Sequence, residues 1–178
     1  MKNQAFTLIE LLVVVLIIGI LAAIAVPQYQ IAVAKSEISG YFPFVKALAE
    51  AEEVYYLQHG EYAVKLKDLD INIPGSCLFL NSTENNIYCN DNIVIDNQNS
   101  YDFSLQKPVP TGRISIRYCP GIASQGDTAC TTPSKGGLLS VNFFLQNHEE
   151  NPSEIHCKSW SDRGKAICQK FAGQMIID

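Results

Sequence analysis

The chain has 178 residues, enough for one domain with an appendage, and its 13 Lys+Arg against 18 Asp+Glu give a net charge of −5. That balance excludes a generic basic nucleic-acid binder. Charged residues make up only 17%, below the usual quarter. Leu11 to Val26 are sixteen consecutive apolar or glycine residues, an aggregation hazard in water that does not fit a fully cytosolic globular enzyme.

The first predicted element is a helix through that run. Phe6 to Val26 is 21 residues, about 31 Å as a helix, which matches the hydrocarbon core of a bilayer. Lys2 precedes the run and the next basic residue is Lys35, so the N-terminus is expected to stay cytoplasmic while the rest is exported. Two plain readings compete: a secretory signal peptide, with Ala23-Ile24-Ala25 as its A-x-A site and Lys2 as a minimal n-region, and an uncleaved signal anchor. Glu10 is awkward for both, since a carboxylate opposes insertion by about 2.5–3.5 kcal/mol at mid-bilayer. Its position near the start softens that cost, and Thr7 and Glu10 have the T-x-x-E spacing of a capping box.

From Gln28 to about Gln58 the helical pattern becomes two-faced. Tyr41, Phe44, Leu48, Ala51 and Tyr55 form a stripe at spacings of three and four, with Lys46, Glu50 and Glu53 on other sides. The stripe is expected to pack on a sheet. Gly40 and Pro43 should bend or break the helix, and His59-Gly60 should stop it. In the remainder, Asp68–Ser76 and Asn81–Asn99 read as loops. Ser100–Leu105, Gly112–Tyr118 and Gly137–Gln146 read as strands, with alternation clearest in Arg113-Ile114-Ser115-Ile116-Arg117. Ser161–Phe171 reads as a short helix. The expected fold is α+β: a long N-terminal helix, half transmembrane and half amphipathic, packed on a small antiparallel sheet with disulfide-closed loops.

Six cysteines, Cys77, Cys89, Cys119, Cys130, Cys157 and Cys168, are separated by 11, 29, 10, 26 and 10 residues, with no C-x-x-C. That spacing does not suit zinc and points to disulfides outside the cytoplasm. Fifteen connectivities are possible; pairing in sequence order, Cys77–Cys89, Cys119–Cys130 and Cys157–Cys168, closes the shortest loops and costs least entropy.

Ala5-Phe6-Thr7-Leu8-Ile9-Glu10, followed by the apolar stretch, Pro27 and Tyr29, resembles the class III signal of type IV pilins and type II secretion pseudopilins. The resemblance is dense from Ala5 to Lys35 and only in outline beyond. It implies that a prepilin peptidase cuts between Ala5 and Phe6 on the cytoplasmic side and methylates the new amine. Ala5 stands where the family has glycine, so slower processing is expected. It also implies the divisions 1–5 leader, 6–27 transmembrane and assembly helix, 28–59 amphipathic helix and 60–178 head.

Glu10 is then the assembly residue, pairing with a neighbouring subunit's new amine. At 4 Å and an effective dielectric of 20 such a pair attracts by about 4 kcal/mol before desolvation. Gly19 and Pro27 weaken the helix, and in the family the stretch between them can lose helicity in the filament. The plainer readings are close packing for Gly19 and a kink for Pro27. The head resembles the family in outline, including a C-terminal region closed by a disulfide, here Cys157 to Cys168.

The expected function is therefore a structural subunit of a bacterial type IV pilus, not an enzyme. Its expected partners are other copies of itself, minor pilins, the prepilin peptidase, the assembly machinery and, before assembly, the inner membrane. The destination is an extracellular filament. The alternatives are a secretion pseudopilin, and a secreted or anchored binding protein with an ordinary signal peptide. Major pseudopilins commonly have a calcium-binding loop and no disulfides, so six cysteines favour the pilus. No cofactor, metal or nucleic-acid partner is expected. His148 and His156 have no nucleophile at a telling position. Asp91 and Asp96 lack an EF-hand pattern and read as turn chemistry. Asn81-Ser82-Thr83 is a glycosylation sequon in form only. Lys158, Arg163, Lys165 and Lys170 read as a solvated charged face, with weak polyanion binding the sharper reading.

Overall fold

The computed structural model describes residues 7–79, 86–90, 92–97, 100–102, 107–109, 112–121 and 137–178. Helix α1 spans Leu8–Gly40 and begins at a complete capping box, in which the Thr7 hydroxyl accepts from the Glu10 N–H and the Glu10 carboxylate accepts from the Thr7 N–H. It runs unbroken through Pro27. At the expected second break the helix does stop. Pro43 has no N–H to give and its ring crowds the carbonyl four residues back, so the chain leaves α1 at Tyr41 and restarts as α2, Phe42–His59. Gly60, at φ 77°, closes α2 in the left-handed conformation that glycine adopts without steric cost.

Among the described residues the head is a seven-stranded sheet in the order β1-β2-β3-β6-β7-β8-β9, antiparallel except between β8 and β9. Its strands are β1 Cys77–Phe79, β2 Asn86–Cys89, β3 Ile93–Asn97, β6 Arg113–Tyr118, β7 Leu139–Phe144, β8 Ile155–Ser159 and β9 Ile176–Ile177. A separate ribbon pairs β4, Ser100–Asp102, with β5, Lys107–Val109. Helix α3, Asp162–Gln169, is capped by the Ser161 hydroxyl. The α+β architecture with a long N-terminal helix is thus what the chain adopts.

Two expectations need correction. Asn81–Asn99 is not a loop throughout: β2 and β3 lie in it, joined at Asn90, whose φ is 55°. The asparagines and aspartates that suggest a loop serve the turn and the strand ends, while Ile87, Ile93 and Ile95 fill the core. The α2 stripe is also offset. Its fully buried line is Val45, Leu48 and Glu52, and Tyr41, Phe44, Ala51 and Tyr55 flank it, partly buried.

The core lies between α1–α2 and one face of the sheet. Period-two alternation sends Ile114, Ile116 and Tyr118 of β6 and Leu139, Val141 and Phe143 of β7 toward Ala34, Ile38, Val45 and Leu48. Burial, with Glu37 adding to it, pushes the Tyr118 hydroxyl up to about 12. Cys77–Cys89 ties β1 to the residue opposite it on β2, and Cys157–Cys168 ties β8 to α3. Each closes a loop worth about 3 kcal/mol by the chain-entropy estimate. Cys119 is buried and disulfide-bonded; Cys130 lies outside the described residues.

Candidate assembly site

Helix α1 divides into two halves with different surroundings. From Thr7 to Gln30 it is exposed all round except at half-buried Ala22, and burial begins in earnest only at Ala34 and Ile38. The free half, Leu8 to Gln30, is about 35 Å long at 1.5 Å per residue. It carries Leu8, Ile9, Leu11 to Ile18, Ile20, Leu21, Ile24 and Val26, all exposed. Its best window has a mean hydropathy of 3.1, long and apolar enough to cross a membrane. An apolar surface of this extent on every side demands lipid or other protein.

The charges sit at the two ends of this surface. From Leu11 to Ala34 there is no Asp, Glu, Lys or Arg. At the inner end Lys35 is held by the head, its Nζ donating to the Lys170 carbonyl at 2.6 Å and lying 5.3 Å from the Phe171 ring centroid. At the outer end Glu10 takes hydrogen bonds from Thr7, from its N–H at 2.8 Å and its hydroxyl at 2.6 Å, but meets no cation among the described residues. The capping reading of Glu10 is therefore realised in the single chain. Gly19 is not demanded by packing within the chain, because a Cβ there would meet nothing within 4 Å. Pro27 sits inside continuous helix. Ala5 and Phe6, the expected processing site, lie outside the described residues.

The remaining candidates fall in the head and do not converge on the helix tip. His156 is clasped between Glu154 on Nε2 at 2.7 Å and Asp178 on Nδ1 at 3.0 Å. Burial alone pushes its imidazole down, but these two carboxylates outweigh burial and the net shift is upward. His148 accepts from the Glu150 and Asn151 N–H groups in a turn. Asp96, read as turn chemistry, is instead a buried residue of β3 paired with Arg117. Among the described residues no group of three His, Cys, Asp or Glu is placed to hold a metal ion; Asp91 and Asn81-Ser82-Thr83 lie outside them.

Sequence reasoning missed Glu52, fully buried in α2, which accepts from the Ala63 N–H at 2.9 Å and the Asn97 side-chain amide at 2.7 Å. A carboxylate on the core side of a helix gives no signal until its partners, eleven and 45 residues away, are known.

With this geometry in view, residues 1–26 match the prokaryotic N-terminal methylation motif. The match covers the N-terminal tip and the apolar half of α1 as far as Val26. Beyond the motif, the chain is similar to curated type IV pilins. It is 44% identical over 60 residues to a fimbrial protein of Neisseria meningitidis, covering 34% of this chain and 35% of the relative. To a type IV major pilin protein, PilE1, of Neisseria gonorrhoeae it is 42% identical over 60 residues, covering 34% and 36%. A fimbrial protein of Pseudomonas aeruginosa is 42% identical over 97 residues, 52% of this chain and 63% of that protein. The chain thus spans about a third of the length of the Neisseria relatives it matches and under two thirds of the Pseudomonas one.

Proposed function

We propose that the chain is a structural subunit of a type IV pilus. The prepilin peptidase cuts between Ala5 and Phe6 and methylates the new amine, removing the 1–5 leader. The subunit waits in the inner membrane with 6–27 spanning it, its N-terminus cytoplasmic and its head, 60–178, periplasmic. Assembly then transfers the same helix from lipid to a bundle of identical helices in an extracellular filament, with Glu10 paired to a neighbour's Phe6 amine. The role is structural and not catalytic. The assembly machinery and minor pilins are its partners beyond its own copies.

The observation that carries this reading is the free half of α1: a tip carboxylate without a counter-ion among the described residues, then an uncharged stretch that is exposed on nearly all sides as far as Gln30. Lipid satisfies the apolar surface but not the carboxylate. A second subunit with a positive N-terminus satisfies both. The disulfides of the head, which suit an exposed filament, favour a pilus over a secretion pseudopilus.

The test is the intact mass of the mature chain taken from membranes and from sheared surface filaments. A chain beginning at Phe6 and carrying one extra methyl group is expected. A chain beginning at Val26 would mean signal-peptidase cleavage and a secreted head, and one beginning at Met1 an unprocessed anchor; either overturns the reading.

A further inference from the structure

Helix α3 sits where the exposed half of α1 meets the head. It packs on α1 and β8, is fixed to β8 by Cys157–Cys168, and ends beside Lys35, whose Nζ donates to the Lys170 carbonyl. Phe171 follows, its ring centroid 5.7 Å from that of Phe42. Toward the other end of α3, the Arg163 charge acts on the Tyr118 hydroxyl, which is bonded to Glu37. The helix therefore lies level with residues 35 to 42 of the arm. Gly164, Ile167 and Cys168 form its buried side, while Asp162, Arg163, Lys165, Gln169 and Lys170 are exposed. The assembly role uses none of these exposed side chains.

We propose that this basic surface rests on the anionic headgroups of the membrane that α1 spans and holds the head against the bilayer until assembly. The inference rests on the reading of α1 as a membrane span and adds a partner at the outer surface. Among the described residues at this level four cations, Lys35, Arg163, Lys165 and Lys170, stand against two acids, Glu37 and Asp162. Glu37 is already occupied by the Asn92 side-chain amide at 3.1 Å. The Arg163, Lys165 and Lys170 side chains form no ion pair among the described residues. Each such cation near an anionic leaflet multiplies the docked population about fivefold.

The lengths along the arm agree. Leu11 to Ala34 is 24 residues without a charge, about 36 Å of helix against a hydrocarbon core of about 30 Å. With the Glu10 carboxylate kept at the inner edge, the outer edge falls near Gln30, where the free half of α1 ends. A span at 6–27 reaches this level by sliding one turn, which takes Glu10 out of the lipid interior. Lys35 then stands about 7 Å beyond the hydrocarbon, within a headgroup layer about 5–8 Å thick. Lys170 is at its side, and the long stems of Lys165 and Arg163 extend the reach of their charges. A nucleic acid free in solution gains nothing from the level at which these charges sit. A headgroup layer is at that level whenever α1 is in the membrane.

The test uses the full-length chain in nanodiscs of phosphatidylcholine, with and without phosphatidylglycerol, each holding a lipid with a dansyl headgroup. Trp160, the chain's only tryptophan, directly precedes the Ser161 cap of α3, so its energy transfer to dansyl reports how close α3 lies to the surface. Transfer is expected to be higher in the anionic discs and to drop to the neutral-disc level at about 1 M salt, where the screening length is about 3 Å. Lys165→Gln should lower the ratio of docked to lifted heads about fivefold, and Gln at Arg163, Lys165 and Lys170 together should abolish the difference between the two lipids. Lys165→Arg and Lys170→Arg should keep it. These side chains are exposed and Lys170 holds Lys35 through its carbonyl alone, so folding is not at stake. Equal transfer in both lipids, an unchanged triple variant, or a response to a DNA oligonucleotide with none to phosphatidylglycerol overturns the proposal and leaves the spanning reading intact. Failure of the wild-type chain to enter neutral discs overturns the spanning reading and this proposal with it.

Discussion

Glu10 has two candidate roles, and the structure shows how to separate them. Both hydrogen bonds of the capping box survive a Glu10→Gln substitution in kind, since a glutamine side-chain oxygen can still accept from the Thr7 N–H and the Glu10 N–H still reaches the Thr7 hydroxyl. Only the charge is lost. Glu10→Ala removes the charge and half of the box together, the box as a whole being worth about 0.5–2 kcal/mol. Pairing with a neighbour's amine is larger. The Coulomb attraction is about 4 kcal/mol at 4 Å and dielectric 20, and stripping one partner from a buried pair typically costs about 3–5 kcal/mol. That is a factor on the order of 10² to 10⁴ in the equilibrium for adding each subunit.

Both variants should therefore insert into the membrane as well as wild type or better, be processed to Phe6, and yield almost no filament. The assay is filament recovered by shearing and sedimentation, normalised to membrane-held subunit, with the N-terminal mass checked in each strain. Wild-type filament yield from Glu10→Gln, with the N-terminus intact, would refute the pairing and leave capping as the whole function of Glu10.

Three further outcomes are expected. Glu52→Ala removes the buried carboxylate that accepts from the Ala63 N–H and from the Asn97 amide, so the urea midpoint should fall by the equivalent of about 2–4 kcal/mol, and Glu52→Gln should lose about half as much. His156, whose folded pKa is raised by Glu154 and Asp178, stabilises the head fully below the unfolded histidine value of about 6.5; that contribution should disappear as pH rises through the folded value, and His156→Gln should flatten the urea midpoint over this window. In a filament map the helix should lose hydrogen bonds between Gly19 and Pro27, while the same interval stays helical in the membrane-held subunit; an unbroken helix in the filament counts against it.

How much of this was readable in advance differs sharply between tail and head. In the tail the apolar run and the capping-box spacing are local signals, so Leu11–Val26, Glu10 and Thr7 could be read directly, and the break at Tyr41 was expected from Gly40 and Pro43. The head obeys pairings that a linear reading does not see. Ile87 and Ile93–Ile95 are good strand formers, but they are short and set among asparagines, and only the pairing of β2 with β3 and of β3 with β6 makes strands of them. Strand β8 carries His156, Cys157 and Lys158 and looks polar because one face is not core. A usable signal did exist in Arg113-Ile114-Ser115-Ile116-Arg117. The alternation that identifies the strand also puts both arginines and Ser115 on a single face, where Arg117 meets Asp96 of the neighbouring strand.

The two prolines of the helical arm differ in what surrounds them, and the difference bears on the proposed passage from lipid to filament. Pro43 comes where α2 must turn to lay Val45 and Leu48 on the sheet, so the missing hydrogen bond coincides with a bend the head requires. Pro27 is exposed, three residues before the exposed half ends, and there the helix continues. A break in lipid would leave backbone groups without partners, at several kcal/mol each, which favours continuity there. Among packed subunits the constraint is weaker, because neighbouring side chains and backbone can shield a short extended stretch. Gly19, with open space about its Cα, adds no side-chain contact that unwinding would lose. On the proposed reading, the continuous helix is the membrane-held state of a segment bracketed by its two weakest helix formers, Gly19 and Pro27, with Glu10 facing the neighbouring subunits at one end and Lys35 held by the head at the other.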